Sequence, residues 1–443
     1  MPPNTNPLDK NQEMKRLAAI LAAALTLAAC SSDREHILKV YNWSDYLEES
    51  LIEGFENWYE EQTGEKVKIV YQTFDINETM LSKIEKGQED FDVVCPSDYI
   101  IERMLRQDML LPLLKDFGDT PNYIETNVSP FIKGMLSSLD TPGKDANDYA
   151  VGFMWGTTGF IYNTKYVPRE DVETWDVLRN PKYKGKIFVK DAARDVYSNI
   201  ILYLKQDDIA AGKVTREELL TVPSKENVDL VEEYLMQIKD QVAGYEADFG
   251  KDQMVLERGW ISLNWSGEGH WTQVEAEKVG VSLDFVVPKE GCSLWLDGWV
   301  IPKYAKNPKA ASYFINYICR PDNAILNSEF IGYSGAIATQ EIIDHFQDDR
   351  FEPMDMTYFF GEGADSLRLD PILYQSREAV YGSVMEHDWG EDSDMLISMW
   401  SRVKGSNANV LTYVIIAAIF IALVAAVVAS RTNKRRHSHR KRR

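Results

Sequence analysis

The sequence predicts an α/β fold, and three observations lead to that class. The chain has 443 residues, which is two to three times the usual size of one domain. Apolar residues make up 44% of it and charged residues 26%, as in folded globular proteins. Short strand-like segments alternate with amphipathic helical segments along most of the chain. We therefore expect strand-helix-strand units that build sheets flanked by helices.

The elements follow one another in a regular order. The first strand is predicted at 37–41, and the run after it places Leu47, Leu51 and Phe55 at helical spacing. Further strands are predicted at 67–71, 91–94, 159–162, 186–189, 261–264, 281–287 and 293–301. Further helices are predicted near 77–85, 99–106, 194–205, 227–239, 309–319 and 322–329.

The N-terminal end has the pattern of a secretory signal. From Met14, two basic residues precede an uncharged stretch at 17–27 and then small residues that end at Cys30. The segment Leu-Ala-Ala-Cys resembles the bacterial lipoprotein signal, so Cys30 is predicted to carry a lipid. Residues 1–29 are then an N-terminal extension and signal peptide. A retained signal anchor is the competing interpretation, but its apolar run is shorter than the ~20 residues that span a bilayer.

The C-terminal end predicts a membrane span. Residues 410–429 carry no charge, and eight basic residues follow within 430–443. About 20 helical residues cross the hydrocarbon core, and basic residues favour the cytoplasmic side. We therefore expect a transmembrane helix at 410–429 and a basic cytoplasmic tail at 430–443, with the rest of the chain on the extracytoplasmic side of the cell membrane. A nucleic-acid-binding tail is the alternative.

The chain between these ends is strongly acidic. Residues 30–430 contain 37 basic and 67 acidic side chains, a net charge of −30, which repels nucleic acid and favours cationic partners. The cysteines Cys95, Cys292 and Cys319 lack metal-binding spacing, so neither a metal nor a cofactor is predicted. One disulfide with a free thiol, or three buried thiols, are both open.

Aromatic and acidic residues recur where the predicted strands end. Ligands of open α/β sheets bind beyond the carboxyl ends of the strands, so these positions are candidate binding residues. Aromatic faces attract ammonium groups and pack methylene chains, and carboxylates accept hydrogen bonds from the ammonium N–H groups. The combination therefore predicts a site for an elongated organic cation. The positions include Trp43, Asp45, Ser97, Tyr99, Asp195, Trp265, Glu268, Trp295 and Asp297.

Five segments together carry a family resemblance. The chain resembles the spermidine/putrescine-binding proteins of bacterial polyamine ABC transporters, which belong to the type II periplasmic binding proteins. The resemblance covers about 37–405, with the segments in order. They are YNWSDY at 41–46, FDVVCPSDY at 91–99, DAARDVY at 191–197, WLDGWVIP at 295–302 and IGYSGA at 331–336.

The resemblance implies a two-lobed "Venus flytrap" fold, in which each lobe is a mixed β-sheet flanked by helices and the chain crosses between lobes. With the C-terminal transmembrane helix added, this is the predicted fold class. The crossings are expected near 155, near 295 and within 335–345. Lobe 1 is then expected to consist of 37–154 with 296–340, and lobe 2 of 155–295 with 341–405.

The resemblance also implies a set of ligand contacts. Ala192 and Glu268 match the putrescine-binding members, whereas Glu386 stands near a family glutamine and could hold a third amine, so spermidine stays open. The implied aromatic contacts are Trp43, Tyr46, Tyr99, Trp265, Trp295 and Tyr333. The implied polar and acidic contacts are Ser44, Ser97, Asp45, Asp195, Glu268, Asp297 and Glu386.

The implied function is capture of putrescine or spermidine by lobe closure and delivery to the permease subunits of an ABC transporter, without catalysis. No catalytic motif of the common hydrolase, nucleotide-binding or zinc-protease types occurs in the sequence. The alternatives are a polyamine sensor that signals to a membrane partner, a binding protein for another small organic cation, and a glycosidase that uses paired acids.

Overall fold

The computed structural model describes residues 34–405, apart from residues 88, 223 and 247–249. The predicted signal peptide, Cys30 and the predicted segments at 410–429 and 430–443 lie outside the described residues.

The strands and helices of the described part are as follows, numbered in chain order. The strands are β1 Ile37–Trp43, β2 Lys68–Phe74, β3 Val93–Val94, β4 Leu110–Leu111, β5 Ala150–Asn163, β6 Ile187–Lys190, β7 Val242–Glu246, β8 Ile261–Trp265, β9 Leu283–Val286, β10 Ser293–Pro302, β11 Ser334–Gly335 and β12 Val384–Met385. The first nine helices are α1 Ser50–Thr63, α2 Asn77–Glu85, α3 Asp98–Arg106, α4 Tyr123–Asn127, α5 Pro130–Ser137, α6 Arg169–Val172, α7 Ala193–Leu204, α8 Gln206–Ala210 and α9 Arg216–Thr221. The others are α10 Lys225–Ile238, α11 Gly250–Val255, α12 Ser266–Lys278, α13 Pro308–Ile318, α14 Pro321–Ile331, α15 Gln340–Phe346, α16 Thr357–Phe360, α17 Arg377–Tyr381 and α18 Ser393–Gly405. Short 3-10 helices lie at Ala146–Asp148, Trp175–Arg179, Pro181–Tyr183 and Gly390–Asp392.

Every strand and helix predicted from the pattern has a counterpart in this set. The largest difference is β5, which begins at Ala150 although only 159–162 was predicted. All of its residues are buried, so the strand lacks the alternation of apolar and polar residues that marks a half-exposed strand.

The strands pair in the order β2-β1-β3-β10-β5-β8-β6-β7. β1 is parallel to β2 and β3, and β6 is parallel to β7 and β8, as strand-helix-strand units require. β10 runs antiparallel to β3 and to β5, so the pairing is mixed. The first part of β5 pairs with β10, and its second part pairs with β8 and β9. This one long strand therefore continues from one group of strands into the other.

Buried apolar side chains form two main cores. The first contains side chains from 38–155 and 294–380, and the second contains side chains from 160–292 and 389–403. The chain passes between them along β5, between β9 and β10, and near β12. These two cores are the physical basis of a two-lobed α/β fold.

One predicted segment packs differently from the expected lobe assignment. Residues 341–405 were expected in lobe 2, but Ile342, Phe359 and Leu373 are buried in the first core. The ring of Phe359 stacks on Trp155 with 5.3 Å between ring centroids, so this return segment completes the first core. Side chains from 389–403 join the second core. The lobe boundaries as such stay a prediction.

The predicted fold class requires a correction about the membrane. None of the helices within 34–405, apart from the undescribed positions, is long and apolar enough to cross a bilayer. α1 and α10, with 14 residues each, reach only about 21 Å and carry charged residues on their surfaces. The described residues therefore support the two-lobed α/β fold and contain no membrane-spanning helix, and the span that the prediction added at 410–429 lies outside them.

Candidate ligand-binding site

The site is built around Asp297, whose carboxylate accepts hydrogen bonds from two neutral hydroxyl groups. Asp297 lies in β10, where the register against β5 shifts between Asp297 and Gly298. The hydroxyl of Tyr46, which follows β1, donates to Oδ2 at 2.9 Å, and the hydroxyl of Ser97, at the start of α3, donates to Oδ1 at 2.6 Å. Three residues predicted from separate segments therefore meet at one carboxylate.

The carboxyl group of Asp297 is poorly solvated, since the residue is only 7% exposed. Burial raises its pKa to about 6, and the negative charge of Asp195 acts in the same direction, while the hydrogen bonds from Ser97 and Tyr46 oppose the shift. Among the described residues, the donors to this carboxylate are these two hydroxyl groups, and no basic side chain forms an ion pair with it.

Three aromatic rings form a wall beside this carboxylate. Tyr333 makes edge contacts with Tyr46 and Trp295, with ring centroids 5.5 and 5.7 Å apart. The start of α12 covers Tyr333 at Gly267, where an added Cβ would lie 2.3 Å from the ring. Only glycine allows so close an approach of the backbone at this position. Because α12 follows β8, the wall joins elements from the two groups of strands.

Two further acids, Asp195 and Glu386, lie near Asp297. The carboxylate of Glu386 accepts hydrogen bonds from Ser198 at 3.0 Å and Ser293 at 3.1 Å. Burial raises the pKa of Glu386, and the charge of Asp195 raises it further. The pKa of Asp195 is also raised by burial, against a hydrogen bond from Trp265. The half-buried Asp195 and the buried Glu386 therefore form one interacting pair of acids.

Tyr99 contacts an arginine that the sequence analysis did not single out. The guanidinium of Arg194 lies over the Tyr99 ring at 4.1 Å from its centroid. The Tyr99 hydroxyl accepts a hydrogen bond from Asn77 and donates one to Glu78, each at 3.1 Å. Asn77 also donates to Ser97 at 3.0 Å, which links Tyr99 to the Asp297 carboxylate.

Glu268 is buried and already pairs with a lysine. The ammonium of Lys190, at the end of β6, donates to Oε2 of Glu268 at 2.5 Å and stands 4.4 Å from the centroid of the Trp265 ring. Lys251 lies on the more exposed side, with 3.6 Å between its ammonium and Oε1 of Glu268. The Glu268 carboxylate therefore differs from that of Asp297, because a cation of the protein itself neutralises it.

Three predicted contacts lie away from this cluster. Trp43 packs against Phe74 with ring centroids 4.6 Å apart. The exposed Ser44 donates to Asp75 at 2.7 Å. Asp45 has a φ of 53°, in the left-handed region, and lines an open groove of about 730 Å³ that Tyr46 also lines. We call this the outer groove; it is lined by Asp45, Tyr46, Leu47, Glu49, Ile52, Glu53, Glu56, Asn57, Lys68, Tyr71, Thr73 and Phe330.

Sequence reasoning missed Lys190, Arg194 and Asp98. Lys190 closes an otherwise apolar strand, which is a weak signal because lysine at a strand end usually reaches solvent. Arg194 was visible beside Asp195 in the same loop. Asp98 is 1% exposed, and its Oδ2 accepts a hydrogen bond from the Leu296 backbone at 3.2 Å. Burial raises its pKa well above the usual range, and its hydrogen bond to Leu296 supports β10.

The remaining chemical features are the state of the cysteines and the arrangement of possible metal ligands. Cys95, Cys292 and Cys319 are buried free thiols, which decides between the two alternatives that the sequence left open. Within the described residues, no group of three or more His, Cys, Asp or Glu side chains is arranged to hold a metal ion.

Comparison with known proteins gives a family match and several relatives. The sequence model of the bacterial extracellular solute-binding protein family matches residues 57–350. The spermidine/putrescine-binding periplasmic protein of Escherichia coli is 29% identical over 392 residues, covering 88% of this chain and 98% of that protein. The putrescine-binding periplasmic protein of Escherichia coli is 29% identical over 343 residues, covering 73% and 84%.

Solved structures agree with this. A spermidine/putrescine ABC transporter protein from Listeria monocytogenes is 29% identical with a TM-score of 0.65, covering 83% of this chain and 99% of that chain. A spermidine/putrescine ABC transporter substrate-binding protein from Streptococcus pneumoniae is 26% identical with a TM-score of 0.62, covering 83% and 100%. The resemblance drawn from the sequence segments is confirmed.

Proposed function

The chain belongs to the bacterial extracellular solute-binding proteins, and we propose that it captures putrescine or spermidine in the site around Asp297. The observation that carries this proposal is a buried carboxylate whose donors in the described part of the chain are two hydroxyl groups. An ionised acid in such surroundings is costly unless a cation pairs with it. A ligand ammonium placed against Asp297 supplies that charge.

The acids and aromatic rings beside Asp297 provide further contacts for an elongated cation. Asp195 and Glu386 form a second acidic position, and burial raises the pKa values of both acids, which favours a cation beside them. The rings of Tyr46, Trp295 and Tyr333 offer apolar faces for a methylene chain between the acidic positions. Two ammonium groups joined by an alkyl chain match this order of contacts.

We expect the lobes to close on the ligand, because the proposed contacts are divided between elements of the two cores. Tyr46 and Ser97 lie on elements of the first core, whereas Asp195 and Trp265 lie on elements that pack in the second. A ligand that contacts both sets binds the closed arrangement better than an open one, and this difference shifts the population toward closure. The closed form then delivers the polyamine to an ABC permease, a role in transport without catalysis.

We also propose extracytoplasmic attachment through a lipid on Cys30. The support is the lipoprotein-type signal in the sequence and the periplasmic naming of relatives. Expression of the chain and of Cys30→Ala in a bacterial host supplied with labelled fatty acid tests this. Label on the wild type alone supports the proposal, and an unlabelled wild type contradicts it.

Calorimetric titration with putrescine, spermidine, cadaverine and arginine tests the proposed function. We expect polyamine binding by the wild type, and a loss of about 2–5 kcal/mol in Asp297→Asn because a desolvated charge pair is broken. Asp45→Asn is the matched control, since it removes the same charge from the outer groove, and asparagine tolerates the left-handed φ. Absence of polyamine binding by the wild type, or equal affinities in wild type and Asp297→Asn, contradicts the proposal.

A further inference from the structure

Lys190 occupies a position that has the chemistry of an amine-binding subsite. Its ammonium lies 2.5 Å from a Glu268 carboxylate oxygen and over the face of Trp265, and the residue is only 3% exposed. A carboxylate and an aromatic face are the same two contacts that hold a ligand ammonium. The side chain of the protein thus makes contacts that a ligand amine would otherwise make.

Resting on the proposed function, we propose that the Lys190 ammonium fills one amine position of the site and thereby selects diamines over triamines. Two acidic positions remain, Asp297 and the interacting pair of Asp195 and Glu386. A diamine has one ammonium for each of these positions, whereas a triamine has a third ammonium that no free carboxylate is left to meet.

The pair of Lys190 and Glu268 also limits the length of the ligand that the site can accept. A third ammonium that extends toward Glu268 meets a like charge in a buried region, where repulsion is weakly screened. It would also find the carboxylate already hydrogen-bonded and the Trp265 face already covered. Lys190 acts here as a specificity-determining residue, because its side chain fills the space beside Trp265 and its ammonium neutralises Glu268.

Lys251 offers a matched control for this role. It is the second lysine near Glu268, but its ammonium is 3.6 Å from the carboxylate, and its side chain is 26% exposed. It lies over Trp271 rather than over the Trp265 ring. Replacing it removes the same charge from the same carboxylate without emptying the position beneath Trp265.

Calorimetry on the full chain with putrescine and spermidine tests the inference. We expect the wild type to bind putrescine at least tenfold more tightly than spermidine. Lys190→Met keeps most of the apolar stem and removes the charge, so the preference for putrescine should fall at least tenfold. Lys251→Met should change the ratio by less than twofold. Thermal unfolding of each variant verifies that it is folded.

The outcomes separate this inference from the proposed function. A wild type that binds neither polyamine overturns the proposed function itself. A wild type that binds spermidine as tightly as putrescine overturns only the role of Lys190, and this measurement needs no variant. An unchanged ratio in folded Lys190→Met, or an equal change in Lys251→Met, also overturns the role of Lys190 and leaves the polyamine function standing.

Discussion

The carboxylates of Asp297 and Glu268 are both buried in the same site, yet they are compensated in opposite ways. Hydroxyl groups of Tyr46 and Ser97 hold Asp297, whereas the ammonium of Lys190 holds Glu268. The first arrangement leaves a charge for a ligand to neutralise, and the second leaves none. Two acids that a family resemblance treats alike therefore have different energetic roles in this chain.

The largest expected effect concerns stability at the Glu268 end. Glu268→Gln removes the carboxylate partner of a buried lysine, so the free energy of unfolding should fall by about 3–5 kcal/mol in urea denaturation. The exposed pair of Lys225 and Asp229 provides a control, and Asp229→Asn should cost less than about 1 kcal/mol. A loss in Glu268→Gln as small as in this control would show that the buried pair is not a structural charge pair.

In the absence of ligand, removal of the Asp297 charge should raise the free energy of unfolding, whereas removal of the Glu268 charge should lower it. The pKa of Asp297 in the folded protein is about 6, above the ordinary value of 3.8, so its ionised form destabilises the folded state. This destabilisation is absent below pH 4, develops as the pH rises to 6, and is constant above. Asp297→Asn should therefore raise the free energy of unfolding by about 1–3 kcal/mol at pH 7. A variant less stable than the wild type at pH 7, measured by urea denaturation, would contradict this.

Acid should weaken ligand binding through the same group. A cation binds ionised Asp297, whereas the empty site takes up a proton as the pH falls through about 6. Putrescine affinity should therefore fall about tenfold between pH 7 and pH 5 from this group alone. Raised pKa values at Asp195 and Glu386 act in the same direction. Titration calorimetry at pH 5, 6 and 7 measures this, and Asp297→Asn should show a shallower dependence on pH.

The smallest expected effect comes from a single hydroxyl. Tyr46→Phe keeps the ring that contacts Tyr333 and removes the hydrogen bond to Asp297, so putrescine affinity should fall by about 1 kcal/mol. Tyr71→Phe removes a hydroxyl that lines the outer groove and should leave the affinity unchanged in the same titration. Equal losses in both variants would show that the hydroxyl of Tyr46 does not act through Asp297.

The sequence predicted about half of the described strands and helices, because half-exposed strands and amphipathic helices leave a periodic pattern. β5 was mostly missed because a fully buried strand has no such pattern, and its glycines weakened the signal further. α12 was missed as well, since it begins Ser-Gly-Glu-Gly, and glycine disfavours helix interiors. The third passage between the cores was expected near 335–345, but the chain passes between them near β12. The packing of this return segment depends on distant partners such as Trp155, which a local pattern does not reveal.

The site was predictable where it follows from strand ends. Ser97, Asp195, Trp265 and Asp297 come together as expected for residues beside the ends of paired strands. Ser44 and Asp45 lie elsewhere, because the left-handed φ of Asp45 redirects the chain directly after β1, and no pattern of residue types specifies that. The pairing of Lys190 with Glu268 joins residues 78 positions apart, which only tertiary structure reveals.

The uninterrupted course of β5 has a mechanical consequence. A strand that is embedded in both cores connects them rigidly, so the lobe closure proposed above would have to twist β5 along its length. Asp297 sits on β10 at the slip in register against β5. The proposed ligand contact therefore lies on a strand that pairs with the connection between the two cores.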